Sequence, residues 1–124
     1  MIVDDEAPAR SELRFLLEET GRMDSIVEAS SAREAVEHMM ESRADVLFLD
    51  IHMPKTSGMQ LAEALHKLKN PPAIIFVTAY SEYALEAFGV NAIDYLMKPV
   101  ESDRLNQALD KVQAHSKPQT QGKS

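Results

Sequence analysis

Short, continuous apolar runs alternate along this chain with stretches whose apolar residues recur every three or four positions. The continuous runs predict strands buried on both faces, and the spaced positions predict helices with one apolar face. The predicted strands are 2–3, 25–29, 46–49, 73–77 and 92–96. The helical stripes that follow them consist of Leu13, Leu16 and Leu17; Ala32, Ala35, Val36, Met39 and Met40; Leu61, Leu65 and Leu68; Ala84, Ala87 and Phe88; and Leu105, Ala108, Leu109 and Val112.

Residues that favour helix ends stand at the borders of these stripes. Pro8 suits a first helical turn, where its missing N–H costs nothing. Ser30 or Ser31 can cap the second helix, with Glu34 placed to complete a capping box, and Ser81 can cap the fourth. The chain therefore consists of successive strand–helix units. Strands joined by helices run parallel with right-handed crossovers, which predicts a doubly wound α/β sheet with helices on both faces.

The two ends of the chain differ from its middle. We expect one domain over 1–115, followed by a polar linker or disordered tail over 116–124, because that segment lacks apolar residues. Only Met1, Ile2 and Val3 precede the first acidic pair, which predicts an abbreviated first strand or residues missing before it. The end at Ser124 fits either a fragment of a longer protein or a small separate protein, and the polar tail favours the fragment.

Charge and composition exclude several functions. The 20 Asp and Glu residues outnumber the 13 Lys and Arg residues and give a net charge of −7, which argues against direct contact with nucleic acid by this domain. No run approaches the roughly 20 apolar residues of a membrane span, and no signal peptide opens the chain. The chain has no cysteine, which excludes disulfides and thiolate-bound zinc. We therefore expect a cytoplasmic domain without a membrane contact.

The residues with reactive side chains follow the predicted strands. Asp4 and Asp5 end the first strand, Asp50 ends the third, Thr78 ends the fourth, and Lys98 comes after the fifth. Ligands of doubly wound sheets bind outside the carboxyl ends of the strands, so these side chains are expected to converge at one edge. Each residue alone has an ordinary explanation, such as a helix cap or a solvated lysine, but their joint placement makes those explanations unlikely.

Each of these side chains suits phosphoryl transfer. Carboxylates held together without a His or Cys cluster favour Mg²⁺ as the cation. An aspartate carboxylate can attack a phosphoryl group and form an acyl phosphate. A metal ion and the ammonium group of Lys98 can neutralise the phosphoryl oxygens, and the Thr78 hydroxyl can donate a hydrogen bond to one of them.

At these positions the sequence resembles the receiver domains of bacterial response regulators in two-component signalling. The resemblance covers about 2–114 and rests on Ile2-Val3-Asp4-Asp5-Glu6, Leu49-Asp50-Ile51-His52-Met53-Pro54, Thr78-Ala79 and Tyr95-Leu96-Met97-Lys98-Pro99. The segment 78–88 is similar to the subgroup whose receivers precede a LytTR-type DNA-binding domain. The fold implied is the flavodoxin-like receiver fold, a five-stranded sheet in the order 2-1-3-4-5.

The resemblance implies a role for each residue of the site. Asp50 would accept a phosphoryl group from a sensor histidine kinase. Asp5, Asp50 and the backbone carbonyl of His52 would ligate Mg²⁺, with Asp4 acting through water. Lys98 would contact the phosphoryl group.

The resemblance also implies a switch. Thr78 would move toward the phosphoryl group and Tyr95 would turn inward to follow it, changing the surface of the fourth helix, fifth strand and fifth helix, through which a homodimer could form. Pro99 would follow a cis peptide bond. The rim residues His52 and Tyr80 are bulky, and we hypothesise that they shield the phosphoryl group from water.

Proteins with this kind of sheet also serve other functions. The main alternative is a phosphorylation-independent interaction module on the same fold. We do not expect an enzyme acting on an external substrate, because hydrolases that use an aspartyl phosphate often carry a second acid two residues after the nucleophile, where His52 stands. A flavin-binding protein is disfavoured because Asp4-Asp5-Glu6 would repel a flavin phosphate. The output is expected to be transcription, through a DNA-binding domain outside this chain.

Overall fold

Strands and helices alternate from the first residues to the last helix. The computed structural model describes residues 1–116, and residues 117–124 of the predicted polar tail lie outside them. The elements are β1 (Ile2–Val3), α1 (Ala7–Thr20), β2 (Glu28–Ala29), α2 (Ala32–Glu41), β3 (Val46–Leu49), α3 (Gly58–His66), β4 (Ala73–Thr78), α4 (Ala84–Gly89), β5 (Asp94–Met97) and α5 (Ser102–Ser116).

The five strands form one parallel sheet in the order β2-β1-β3-β4-β5, which confirms the predicted fold. Val3 lies beside Leu49 on β3, and Thr78 on β4 lies beside Met97 on β5. This register places the carboxyl ends of β1, β3, β4 and β5 at one edge of the sheet. None of the helices within residues 1–116 has the length and apolar character of a membrane span.

The sheet separates two apolar cores. On one face, Val3, Leu49 and Phe76 pack with residues of α2, α3 and α4. On the other face, Ile2 and Phe48 pack with residues of α1 and α5. Successive strand residues point to opposite faces, so a strand covered by helices on both sides must be apolar throughout. The predicted helices on both faces are therefore confirmed.

Three predicted strands have different bounds in the structure, and β4 differs only by the addition of Thr78. The predicted strand 25–29 is reduced to Glu28–Ala29, because its only neighbour is the short β1, with Ile2 beside Glu28 and Val3 beside Ala29. The predicted strand 92–96 begins and ends later, at Asp94 and Met97, which are the residues paired with Ile75 to Thr78 of β4.

The predicted helical stripes were too wide on α2 and α4, and the third ran past the end of its helix. Val36 is 42% exposed, Met40 81% and Phe88 67%, although all three were assigned to buried faces. Leu68, 48% exposed, lies beyond the end of α3 at His66. A helix lying on a sheet buries a narrow stripe, and the residues at its flank remain in solvent.

The predicted helix caps are partly confirmed. Ser31 accepts a hydrogen bond from the Glu34 N–H at 3.1 Å, while the Glu34 carboxylate accepts one from the Ser30 N–H at 2.8 Å. Ser81 does not cap α4, whose N-cap residue is Tyr83. The Ser81 carbonyl instead accepts a hydrogen bond from the Ala84 N–H in a tight turn, so the helix begins later than a Ser81 cap would require.

Ionic contacts around the buried carboxylate of Asp94 join α5 to the outer strand β5. The carboxylate of Asp94 accepts hydrogen bonds from two nitrogens of Arg104, both at 2.7 Å, and lies 3.1 Å from the Lys111 ammonium group. It also accepts from the Tyr95 N–H at 2.8 Å. Burial alone would raise the pKa of Asp94, but these hydrogen bonds outweigh it and lower the pKa to about 2. The carboxylate therefore stays charged and keeps α5 against β5 at neutral pH.

The start of α3 is packed directly against the backbone of Asp50. The Gly58 N–H donates to the Ile51 carbonyl at 2.8 Å, and Ser57 and Gln60 form a capping box at this end of the helix. A Cβ atom on Gly58 would lie 1.9 Å from the Asp50 carbonyl oxygen. No side chain fits there without displacing the chain that carries Asp50.

We therefore expect Gly58→Ala to lower the free energy of unfolding by roughly 1–3 kcal/mol, the usual cost of overpacking. The matched control is Gly89→Ala at the end of α4, where a Cβ would meet no atom within 4 Å. Urea denaturation of the two variants and the parent measures the difference. Equal stability of the two variants would contradict the close packing at Gly58.

Candidate functional site

Backbone hydrogen bonds that continue the sheet hold the site residues in place. The Asp4 N–H donates to the Ala29 carbonyl at 3.1 Å, and the Asp50 N–H donates to the Val3 carbonyl at 3.0 Å. The Lys98 N–H donates to the Thr78 carbonyl at 2.8 Å. Asp4, Asp50 and Lys98 thus follow β1, β3 and β5 at the same edge, as the strand ends predicted.

Three carboxylates meet at this edge. Asp4, Asp5 and Asp50 each offer an oxygen within 4.8 Å of the others. Asp4 and Asp50 are buried, whereas Asp5 is exposed, so the cluster opens to solvent on the Asp5 side. The metal-binding donors here are hard carboxylate oxygens. Among the described residues, Lys98 is the only cationic side chain that donates hydrogen bonds to these carboxylates. Such a set suits a divalent metal ion that accepts oxygen ligands.

Lys98 binds two of these carboxylates. Its ammonium nitrogen lies 2.8 Å from Asp4 Oδ2 and 3.3 Å from Asp50 Oδ2. Burial lowers the pKa of Lys98, but the hydrogen bond to Asp4 and the charge of Asp50 outweigh it and raise the pKa above the usual value. Lys98 is therefore a fixed positive charge beside Asp50. The Lys98–Pro99 peptide bond is cis.

Asp50 is held in an unfavourable place for a charged group. Burial raises the pKa of Asp50, the Lys98 ammonium group lowers it in part, and the neighbouring Asp4 raises it again. The net direction is upward. A carboxylate whose pKa is raised in this way is stabilised in its charged form by any additional positive charge at the site.

The two predicted switch residues contact the same loop residue. Thr78 is fully buried, and its hydroxyl accepts a hydrogen bond from the Tyr80 N–H at 3.3 Å. The Tyr95 hydroxyl donates to the Tyr80 carbonyl, and the half-buried Tyr95 ring has its centre 6.2 Å from that of Phe76. Tyr80 therefore joins Thr78 to Tyr95 through its own backbone.

Three rings, which we call the aromatic cluster, lie together on the loops after β3 and β4. The His52 ring centre is 4.2 Å from that of Tyr80 and 5.2 Å from that of Tyr83, and the two tyrosines are 6.4 Å apart. His52 and Tyr80 were singled out in the sequence, whereas Tyr83 was missed. The sequence feature that could have identified Tyr83 is its spacing of three residues from Tyr80, because that spacing brings two side chains together in a helical turn.

Arg10 is a second residue that sequence reasoning missed. Its guanidinium group donates to the Asp4 carbonyl at 2.6 Å and to the Glu28 carboxylate at 3.1 Å. The bond to Asp4 fixes the backbone that carries the acidic pair, and the bond to Glu28 ties α1 to β2. The available signal was Glu28 itself, an acid inside a predicted apolar strand that requires a partner.

Known proteins are similar to this chain in sequence and in fold. The response regulator receiver domain family matches residues 1–110. The sensory transduction protein LytT of Bacillus cereus is 46% identical over 123 residues, which are 99% of this chain and 50% of LytT. The transcriptional regulatory protein LytR of Staphylococcus aureus is 43% identical over 114 residues, 92% of this chain and 46% of LytR.

A solved structure agrees with these relatives. The response regulatory domain of protein mrkE from Klebsiella pneumoniae superposes with a TM-score of 0.84 at 32% identity, covering 92% of this chain and 93% of that one. This chain spans about half the length of the LytT and LytR proteins that it matches. It belongs to the response regulator receiver domain family, among the relatives of LytT and LytR.

Proposed function

We propose that Asp50 accepts a phosphoryl group from a sensor histidine kinase and that the domain passes this event to an effector. The observation that carries the proposal is the buried Asp50 carboxylate, 3.3 Å from the Lys98 ammonium nitrogen and grouped with Asp4 and Asp5. An Asp50 oxygen attacks phosphorus, the bond from phosphorus to the donor nitrogen breaks, and that nitrogen keeps the electron pair. The product is an acyl phosphate on Asp50.

The cation proposed for the cluster is Mg²⁺. Asp5, Asp50 and the backbone carbonyl of His52 would hold it, and Asp4 would act through water. The carboxylate cluster offers oxygen donors and is open to solvent on one side, which suits an ion that keeps some of its bound waters. When bound, Mg²⁺ neutralises phosphoryl oxygens. The Lys98 ammonium group supplies a further positive charge beside Asp50.

Thr78 and Tyr95 are proposed as the switch. By moving toward a phosphoryl oxygen to donate its hydroxyl proton, the Thr78 side chain would lose the hydrogen bond that it accepts from the Tyr80 N–H. The bond to a charged oxygen is worth about 1.5–3 kcal/mol, against about 0.5–1.5 kcal/mol for the neutral one that is lost. The exchange favours the phosphorylated arrangement and shifts the population of the two states.

The surface that would respond consists of α4, β5 and α5. Leu85 is 83% exposed, Phe88 67% and Met97 41%, so apolar side chains face solvent on α4 and β5. A second copy of this domain is the proposed partner for that surface. The effector is proposed to control transcription, since LytR is named a transcriptional regulatory protein, with the DNA contacts made outside this acidic domain.

His52 and Tyr80 are proposed to shield the phosphoryl group. Their rings are in contact and follow Asp50 and Thr78 by two residues each. A shield at this position would slow the attack of water on phosphorus and lengthen the lifetime of the acyl phosphate.

The central test is intact mass after incubation with Mg²⁺ and acetyl phosphate. We expect the parent to gain about 80 Da, the mass of one added HPO₃ group, and Asp50→Ala to gain nothing. Asp45→Ala is the matched control, since Asp45 is an exposed aspartate at the other end of β3 and should be modified like the parent. No gain in a folded parent would favour a phosphorylation-independent interaction module instead.

The shielding proposal predicts a shorter lifetime for Tyr80→Ala. Once the phosphodonor is removed, the phosphorylated fraction of this variant should decay about tenfold faster than that of the parent, equivalent to roughly 1.4 kcal/mol of activation free energy. The decay is followed by intact mass. A rate constant equal to that of the parent would show that the Tyr80 ring does not exclude water.

A further inference from the structure

We propose that Arg10 is a positioning residue for the divalent cation, because its side chain holds the peptide unit that joins Asp4 to Asp5. The inference rests on the proposed Mg²⁺ site, and it names a residue outside the carboxylate cluster on which the affinity for the cation depends. Arg10 would touch neither the cation nor the phosphoryl group. It would act through the backbone that presents the Asp5 carboxylate.

The segment between β1 and α1 is only three residues long, and Arg10 holds it at two points. The Arg10 N–H donates to the Glu6 carbonyl at 3.1 Å, and the Arg10 guanidinium group donates to the Asp4 carbonyl at 2.6 Å. The Asp4 carbonyl belongs to the same planar peptide unit as the Asp5 N–H. The guanidinium group therefore fixes the peptide plane that leads into Asp5.

The two adjacent acidic side chains are held in different ways. The Asp4 carboxylate accepts hydrogen bonds from the Glu6 N–H at 2.9 Å and from the Lys98 ammonium group at 2.8 Å. The Asp5 carboxylate is exposed, and no hydrogen bond or ion pair formed within residues 1–116 reaches it. Its oxygen nevertheless lies within 4.8 Å of the oxygens of Asp4 and Asp50. The place of Asp5 in the cluster thus depends on where the backbone puts it.

Glu28 holds the Arg10 side chain in the orientation that this contact requires. Arg10 Nε lies 3.1 Å from Glu28 Oε1, and a guanidinium nitrogen of Arg14 lies 2.9 Å from the other oxygen of the same carboxylate. The Arg10 side chain is 17% exposed and that of Arg14 39%, so the Arg10 pair is better sheltered from solvent. Because the guanidinium group is planar and bonded at two of its nitrogens, its orientation toward the Asp4 carbonyl is fixed.

The positive charge of Arg10 and its hydrogen bond have opposite effects on a cation. A guanidinium group bonded to the Asp4 carbonyl repels a second cation, so the loss of its charge alone would tighten Mg²⁺ binding. The loss of its hydrogen bond would free the peptide unit between Asp4 and Asp5 and weaken binding. Groups that orient metal ligands without touching the metal typically change its affinity by about 10–100-fold. The direction of the change therefore separates positioning from charge.

Arg10→Met tests the proposal, because it keeps a long side chain against α1 and removes the donor. Mg²⁺ is titrated into the protein without a phosphodonor, and its Kd is read from the shifts of backbone amide NMR resonances. We expect the Kd to rise about tenfold relative to the parent. Arg14→Met is the matched control, since it removes the same charge and a contact with Glu28 from the same helix. Its Kd should equal that of the parent.

A second measurement separates metal binding from the stability of the fold. Urea denaturation with and without saturating Mg²⁺ gives the free energy that the ion adds, from which any loss of intrinsic stability cancels. A Kd that is about tenfold higher lowers this added free energy by about 1.4 kcal/mol. The contribution of Mg²⁺ should fall by that amount in Arg10→Met and stay at the parental value in Arg14→Met.

Two results would overturn the proposal. One is Mg²⁺ binding by Arg10→Met that equals that of the parent, or exceeds it as the loss of a positive charge alone would make it. The other is equal weakening in Arg10→Met and Arg14→Met, since the effect would then come from the tie between α1 and β2. Either result leaves the cation site of the parent standing, whereas a folded parent that binds no Mg²⁺ removes the proposed site itself.

Discussion

Electrostatic repulsion among the carboxylates of Asp4, Asp5 and Asp50 is the constraint on which the rest of this structure depends. Their oxygens lie within 4.8 Å of one another, and two of the three side chains are buried. Like charges in such a place destabilise the fold unless cations compensate them. Lys98 compensates in part, by direct contacts with Asp4 and Asp50. The site therefore retains an attraction for further positive charge.

The fold supplies the rigidity that keeps these groups together. Asp4 and Asp50 are held by backbone hydrogen bonds from neighbouring strands, and Arg10 fixes the Asp4 carbonyl from α1. Gly58 brings the start of α3 against the Asp50 backbone, where no larger residue fits. A buried cluster of like charges lowers stability and is tolerated where its groups are needed in this arrangement.

Much of the fold could be predicted from the sequence, because strands covered by helices on both faces must be apolar along their whole length. The strand ends then located Asp4, Asp50, Thr78 and Lys98 correctly. The strand bounds were less predictable, since the length of β2 depends on its short neighbour β1 rather than on its own residues. Ser81 has a suitable side chain for a cap, but the tight turn before α4 decides where that helix begins.

The parts of the site that were missed involve tertiary contacts between separate elements. Tyr83 joins the aromatic cluster through a ring contact with His52, which lies on a loop 31 residues earlier in the chain. Arg10 reaches the Asp4 carbonyl because α1 returns over the end of β1. Neither contact follows from hydrophobic periodicity, which reports which face of an element is buried and not which polar side chains meet.

The claim that phosphorylation of Asp50 reaches Tyr95 through Thr78 is tested most directly by ¹⁹F NMR of fluorotyrosine-labelled protein. The resonances of Tyr80, Tyr83 and Tyr95 are assigned from single Tyr→Phe variants and recorded before and after acetyl phosphate and Mg²⁺. The account predicts that the Tyr95 and Tyr80 resonances shift in the parent and keep their positions in Thr78→Val, although both proteins are phosphorylated. Equal shifts in the two proteins, or none in a phosphorylated parent, would contradict it.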